Sequence, residues 1–209
     1  HVAEGKDYVI DRFDVEGGMT HDWFLHGMAE EEGLFETSIV LNKPVSTLVP
    51  VWGGTARPKN QYEADNEGKK IHAYGYLKDI MRGSADQSWT ATWKYKNSGL
   101  RTHNLINTSN EVFRFKSPSV RPANEDDNKL DSFMRLGYMQ RHSGGKSSFI
   151  ALHEPFKSEP WIESVKAEGD SYLVKYKLNG LMIEDRITVK GNHTEVVSGA
   201  GWKYRSGSE

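Results

Sequence analysis

The sequence predicts an all-β protein: an antiparallel two-sheet β-sandwich of about a dozen strands that ends in a four-stranded meander. Three observations carry that expectation. Apolar and polar residues alternate with period two along most of the chain, and no helix-length stripe recurs at i, i+3, i+4 and i+7. Two-residue connections rich in Gly, Asn and Asp separate the alternating runs, as tight hairpin turns require. The number of runs exceeds what one sheet of ordinary size holds, which favours two sheets packed face to face.

In chain order, residues 8–15 and 21–26 flank the turn signal Gly17-Gly18, and 34–41 follows a charged loop. Residues 89–96 form a strongly amphipathic strand, with Trp89, Ala91, Trp93 and Tyr95 on one face and Thr90, Thr92, Lys94 and Lys96 on the other. Runs 102–106 and 111–116 are expected to pair as its neighbours. Runs 132–141 and 147–153 are joined by His142-Ser143-Gly144-Gly145-Lys146 and read as a hairpin. The meander comprises 161–168, 172–178, 181–190 and 193–198, separated by Gly169-Asp170, Asn179-Gly180 and Gly191-Asn192. Two polar, Pro-containing stretches, 53–70 and 117–131, are long for connections; they read either as solvent loops or as a lid or partner-binding loop. The second also marks a sub-boundary.

Composition removes several function classes. The 209 residues suffice for one sizeable core or two small ones. With no Cys there is no disulfide framework, thiolate zinc site or cysteine nucleophile. The 27 Lys and Arg are interspersed with 29 Asp and Glu, so no nucleic-acid or anionic-membrane footprint is expected. No apolar run approaches the ~18–20 residues of a membrane helix. The chain opens on His1 without a signal-like segment, and is expected to be part of a longer protein.

Chemical motifs are sparse. His153-Glu154 lacks the second His of a zinc-protease helix, and Gly144-Gly145-Lys146-Ser147-Ser148 lies in a turn between strands rather than between a strand and a helix. No Gly-x-Ser-x-Gly elbow or dinucleotide fingerprint is present. Trp52, Trp89, Trp93, Trp161 and Trp202 could offer flat faces to sugars, or could be core. Arg135, Arg141 and His142 share a strand and its turn, where an Arg fork could clamp a carboxylate or sulfate, or simply be solvated. Asn107-Thr108-Ser109 and Asn192-His193-Thr194 match the glycosylation sequon.

The block Tyr8-Val9-Ile10-Asp11-Arg12-Phe13-Asp14-Val15-Glu16-Gly17-Gly18, followed by His21-Asp22-Trp23-Phe24-Leu25-His26-Gly27, resembles a segment of heparinase II/III-like polysaccharide lyases. Phe149-Ile150-Ala151-Leu152-His153-Glu154-Pro155-Phe156 is similar to that family's strand closing on His-Glu-Pro. The order and interval of the two blocks fit as well. The resemblance implies that residues 1–209 are the C-terminal β-sandwich region of a bacterial periplasmic or secreted enzyme, whose upstream (α/α) toroid cleaves acidic polysaccharides by β-elimination. Such a reaction needs a group that neutralises the uronate carboxylate, a base for the C5 proton and an acid for the leaving oxygen. In the family these are Asn, His and Tyr of the toroid and a His from an early β-stretch carrying His-x-His and Ala-His-Asn, which also supply zinc ligands. Neither motif occurs here.

The resemblance therefore transfers no catalytic residue, metal ligand or cofactor to this chain and leaves zinc to the longer parent protein. The expected partners are the upstream toroid and an acidic polysaccharide. His21, His26 and His153 read as structural, with His26 also a candidate for the cleft. The substrate-binding candidates are Trp89, Trp93, Arg141, His142 and His26. Two other readings remain open: a stand-alone carbohydrate-binding module and an interaction domain without a sugar ligand.

Overall fold

The computed structural model describes residues 2, 5–50, 72–105, 110–119, 133–190 and 193–206. Within them the protein is all-β and antiparallel, as its alternation predicts. Fifteen strands form three sheets of five, rather than two sheets of about a dozen. The strands are β1 (Val9–Glu16), β2 (Thr20–His26), β3 (Leu34–Thr37), β4 (Lys43–Pro44), β5 (Lys78–Ala85), β6 (Trp89–Lys94), β7 (Gly99–Leu105) and β8 (Asn110–Pro118). They continue with β9 (Met134–Ser143), β10 (Lys146–Phe156), β11 (Ile162–Glu168), β12 (Ser171–Leu178), β13 (Leu181–Lys190), β14 (His193–Ser198) and β15 (Lys203–Ser206). A short 3₁₀ turn spans Ala73–Tyr76.

The first sheet has the order β1-β10-β7-β6-β3, the second β2-β9-β8-β5-β4, and the third is the meander β11-β12-β13-β14-β15. One core cluster, including Trp89, Ala91, Trp93, Val112 and Tyr138, lies between the first and second sheets. Another, including Leu105, Ile150, Leu152, Ile162, Val174 and Tyr176, lies between the first and third. The first sheet is therefore the middle layer. This explains the unbroken apolar run Phe149-Ile150-Ala151-Leu152 in β10, because a strand covered on both faces has no solvent side to keep polar. The second sheet buries its outer face against Leu48 and, with them, Val45, Tyr74 and Leu77.

Several expectations change in detail. The meander has five strands, because 203–206 adds an edge strand to the predicted four. β8 does not neighbour β6: it pairs with β5 and β9 in the second sheet, where Val112 faces one core cluster and Phe113 and Phe115 the other. β9 and β10 are not a paired hairpin. The Gly144-Gly145 turn carries the chain from the second sheet to the first, and Gly17-Gly18 makes the reverse crossing between β1 and β2. The two turns lie side by side, joined by Gly17 N–H to Gly145 C=O at 2.7 Å and Gly144 N–H to Met19 C=O at 3.0 Å.

The sub-boundary read near 117–131 lies for the most part outside the described residues; on either side of it Pro118 pairs with Met134 within one sheet, and the third sheet starts after β10. Of 34–41, only Leu34–Thr37 is strand. The readings of 53–70 and 120–131, of Trp52, and of the sequons at Asn107 and Asn192 lie outside the described residues.

Candidate functional site

Both blocks that resemble the lyase family end at the same place. β2 delivers His26, Gly27 and Met28, and β10 delivers Pro155, Phe156 and Lys157, to a cleft of about 580 Å³ beside the β6–β7 turn. A second depression of about 400 Å³ continues it past Tyr95, Ser98, Phe156 and Lys157 to Lys94, Lys96 and Asn97. Together they form one groove along an end of the sandwich.

The glycines of this region are there for space. A Cβ at Gly27 would sit 2.7 Å from Trp93 Nε1 and 2.8 Å from Tyr95 Oη, and one at Gly99 would sit 2.1 Å from Phe156 Cζ. Such distances are below van der Waals contact, so each backbone lies directly on an aromatic ring. Tyr95 Oη accepts a hydrogen bond from the Met28 N–H at 2.6 Å. Its own proton has no acceptor among the described residues and can be donated into the groove. Burial raises the Tyr95 pKa, so the phenol is neutral near pH 7. His26 lines the groove, its Nδ1 2.9 Å from Ser117 Oγ and its ring edge-on to Phe115. Burial lowers its pKa, which keeps the imidazole neutral at pH 7.

His153-Glu154 in the second block turns inward instead. Glu154 is fully buried and accepts hydrogen bonds from Arg101 Nε at 2.7 Å, His103 Nε2 at 3.1 Å, the Ile162 N–H at 2.7 Å and the Trp161 N–H. Burial acts to raise its pKa, but the bonds from His103, Arg101 and Ile162 outweigh it and hold the carboxyl below the usual value. The carboxylate thus fastens the start of the third sheet to the middle one. A second buried carboxylate, Asp185 on β13, accepts from Tyr8, Tyr176 and Ser198 hydroxyls and anchors the residue entering β1 to the third sheet.

The other sequence candidates do not gather at the groove. Trp89 and Trp93 are 2% and 1% exposed and pack on Tyr138, so neither presents a face to a sugar; of their two open readings the core one holds. Arg141 does clamp a carboxylate, but an internal one: both oxygens of Asp22, each at 2.7 Å, while Tyr74 donates its hydroxyl to the same side chain. This bond to Asp22 raises the Arg141 pKa, and the pair pins the 3₁₀ turn to the outer face of the second sheet. His142 leans on Phe149 with ring centroids 4.9 Å apart, at the glycine-turn end of β9. Its partner His21 stands five residues before His26 on β2, so strand rise separates the two ends by about 17 Å. Among the five candidates only His26 reaches the groove. Tyr95, Phe156 and Lys157, which complete it, were not singled out: their alternating positions look the same whether a strand end is covered or open.

His21 binds Ser147 Oγ through Nδ1 at 2.7 Å and the Gly17 carbonyl through Nε2, tying together the two sheet-crossing turns. His153 meets Thr102 at 3.1 Å and stacks on Trp23. These histidines are separately engaged, and among the described residues no group of three or more His, Asp or Glu side chains is placed to hold a metal ion. No helix among the described residues is long and apolar enough to cross a membrane. No family model matches the chain, and no curated protein does either.

Proposed function

We propose that this chain is the non-catalytic β-sandwich portion of a bacterial periplasmic or secreted polysaccharide lyase of the heparinase II/III type. It braces a catalytic toroid and offers the groove end as part of one wall of the substrate cleft. The observation that carries the reading is the meeting of His26-Gly27 with Pro155-Phe156. These motif ends, far apart in sequence, line one groove while their remaining polar residues lock the layers behind it. A brace needs rigidity at the contact face, and Glu154 with its four donors supplies it. The carbohydrate-binding module loses its main support, because Trp89 and Trp93 are core.

Two measurements test the proposal. The isolated chain is incubated with heparin, alginate and chondroitin, and the ultraviolet absorption of unsaturated uronate ends is followed. The expected result is no product, and product formation overturns the non-catalytic assignment. The parent gene is then read upstream of His1: an Ala-His-Asn preceded by His-x-His is expected, and a parent lacking both rejects the family assignment.

A further inference from the structure

The two faces of the middle sheet are fastened by different chemistry. Towards the third sheet the buried anchors are the carboxylates Glu154 and Asp185. Towards the second sheet a chain of neutral amides and hydroxyls crosses the core. Asn104 on β7 is fully buried, and its Oδ1 accepts from Tyr138 Oη at 2.7 Å and Gln140 Nε2 at 2.9 Å, both on β9. Gln140 Oε1 accepts in turn from Asn110 Nδ2 at 3.2 Å. Thr102, on the same face of β7 as Asn104, is bonded to Tyr138 and meets His153 Nδ1 at 3.1 Å.

This chain has a surplus of donors. The two bonds to Asn104 Oδ1 occupy both of its lone pairs, which fixes the orientation of the amide and leaves Nδ2 with its protons to give. Nδ2 has no acceptor among the described residues, and neither has Nε1 of Trp89. Trp89 stands directly opposite Asn104 across the β6–β7 pair, is 2% exposed, and lies edge-on to Tyr138 with ring centroids 5.1 Å apart. Opposite residues of an antiparallel pair hold their Cβ atoms ~4.5–5.5 Å apart on one face, so both donors belong to the same neighbourhood around Tyr138. A buried donor without an acceptor carries its full desolvation penalty, and here two such penalties fall side by side. The other buried groups of this kind, Arg114 Nε, Ser148 Oγ and His193 Nδ1, are on three separate strands, β8, β10 and β14.

We infer that one internal water molecule is bound between Trp89 and Asn104, its oxygen accepting a hydrogen bond from Trp89 Nε1 and another from Asn104 Nδ2. Water fits because its two lone pairs match two donors, and because the surrounding hydroxyls and amides make the site polar where the rest of this core is aromatic. A halide ion has the same appetite for donors, but Asn104, Gln140, Asn110, Thr102 and Tyr138 bring no cation to balance its charge, and a buried charge without a partner is costly. The bound water completes the polar chain that joins β6 and β7 of the first sheet to β9 of the second. The inference is independent of the lyase reading.

The test uses the whole 209-residue chain, ¹⁵N-labelled, in nuclear Overhauser and rotating-frame spectra. The Trp89 indole N–H and the Asn104 side-chain amide are both expected to show cross-peaks at the water frequency. The peaks should have opposite signs in the two experiments, as dipolar contact with a water resident for longer than about a nanosecond requires, whereas proton exchange gives equal signs. The Tyr138 hydroxyl could relay such a peak, so the spectra are repeated on Tyr138→Phe, in which the Trp89 peak is expected to persist. Trp89→Phe removes one of the two donors and is expected to lose most of the Asn104 peak. The site is overturned by an absence of water peaks at Trp89 and Asn104 in the wild-type chain, or by loss of the Trp89 peak in Tyr138→Phe. It is also overturned by a strongly upfield indole proton, which would mean that the N–H is aimed at the Tyr138 ring. Shifts of both N–H groups that saturate with sodium chloride at constant ionic strength would assign an anion instead and reject the water.

Discussion

Glu154 is the residue on which the attachment of the third sheet turns. Removing one partner of a buried charge pair leaves the other uncompensated, so Glu154→Gln is expected to destabilise the protein by about 3 kcal/mol, read from urea unfolding. The folded chain holds this carboxyl below its ordinary value of 4.5. Its contribution is therefore complete above that value and is lost as pH falls through the lowered folded value. The stability gap between wild type and Glu154→Gln should shrink as pH falls below about 4.5, and a gap that stays constant as pH is lowered past that value refutes the assignment. Arg141 carries a lesson at the same scale. The sequence shows that an Arg fork is available, but an internal Asp22 and an external sulfate are equally good partners for it, and only the register of β2 against β9 decides between them.

Strands and turns were legible where their chemistry is local. Asn179 and Gly180 both have positive φ, at 51° and 81°, the consecutive left-handed pair that a type I′ turn needs, and the predicted β12–β13 hairpin is there. β5 was missed because Asp79 takes a positive φ of 50° and the register against β8 shifts between Lys78 and Met81, so the period-two signal breaks inside the strand. Partner choice was harder still. The turns Gly17-Gly18 and Gly144-Gly145 look like hairpin turns, yet the pairing they serve is β1 with β10 and β2 with β9. The β6–β7 turn gives an element-scale expectation. Gly99→Ala would drive a methyl into Phe156, displace the ring that floors the groove, and lower stability by about 1–3 kcal/mol, with amide shift changes at Phe156 and Lys157 as the local readout. Unchanged shifts there would mean that the Gly99 backbone and the Phe156 ring are not in the contact described.

The molecule as a whole is a three-layer stack whose middle sheet has no solvent face along β7 and β10. Truncation after Pro160 should therefore expose Leu105, Ile150 and Leu152 together, and the shortened chain is expected to bind a hydrophobic dye and aggregate where the full chain does neither. A well-behaved, dye-silent fragment would show that the third sheet is an appendage rather than a layer. Alternation, turn residues and motif order are properties of neighbours along the chain, and they are enough for the all-β class, the antiparallel meander and its turns, and the two blocks that suggest a lyase relative. Tertiary structure alone decided that there are three sheets, that Trp89 and Trp93 are core, that Arg141 is spent on Asp22, and that Tyr95, Phe156 and Lys157 meet His26 in one groove. The physical reason is that burial and partnership depend on which sheet covers a face, and that is fixed by pairings between strands as distant in sequence as β1 and β10.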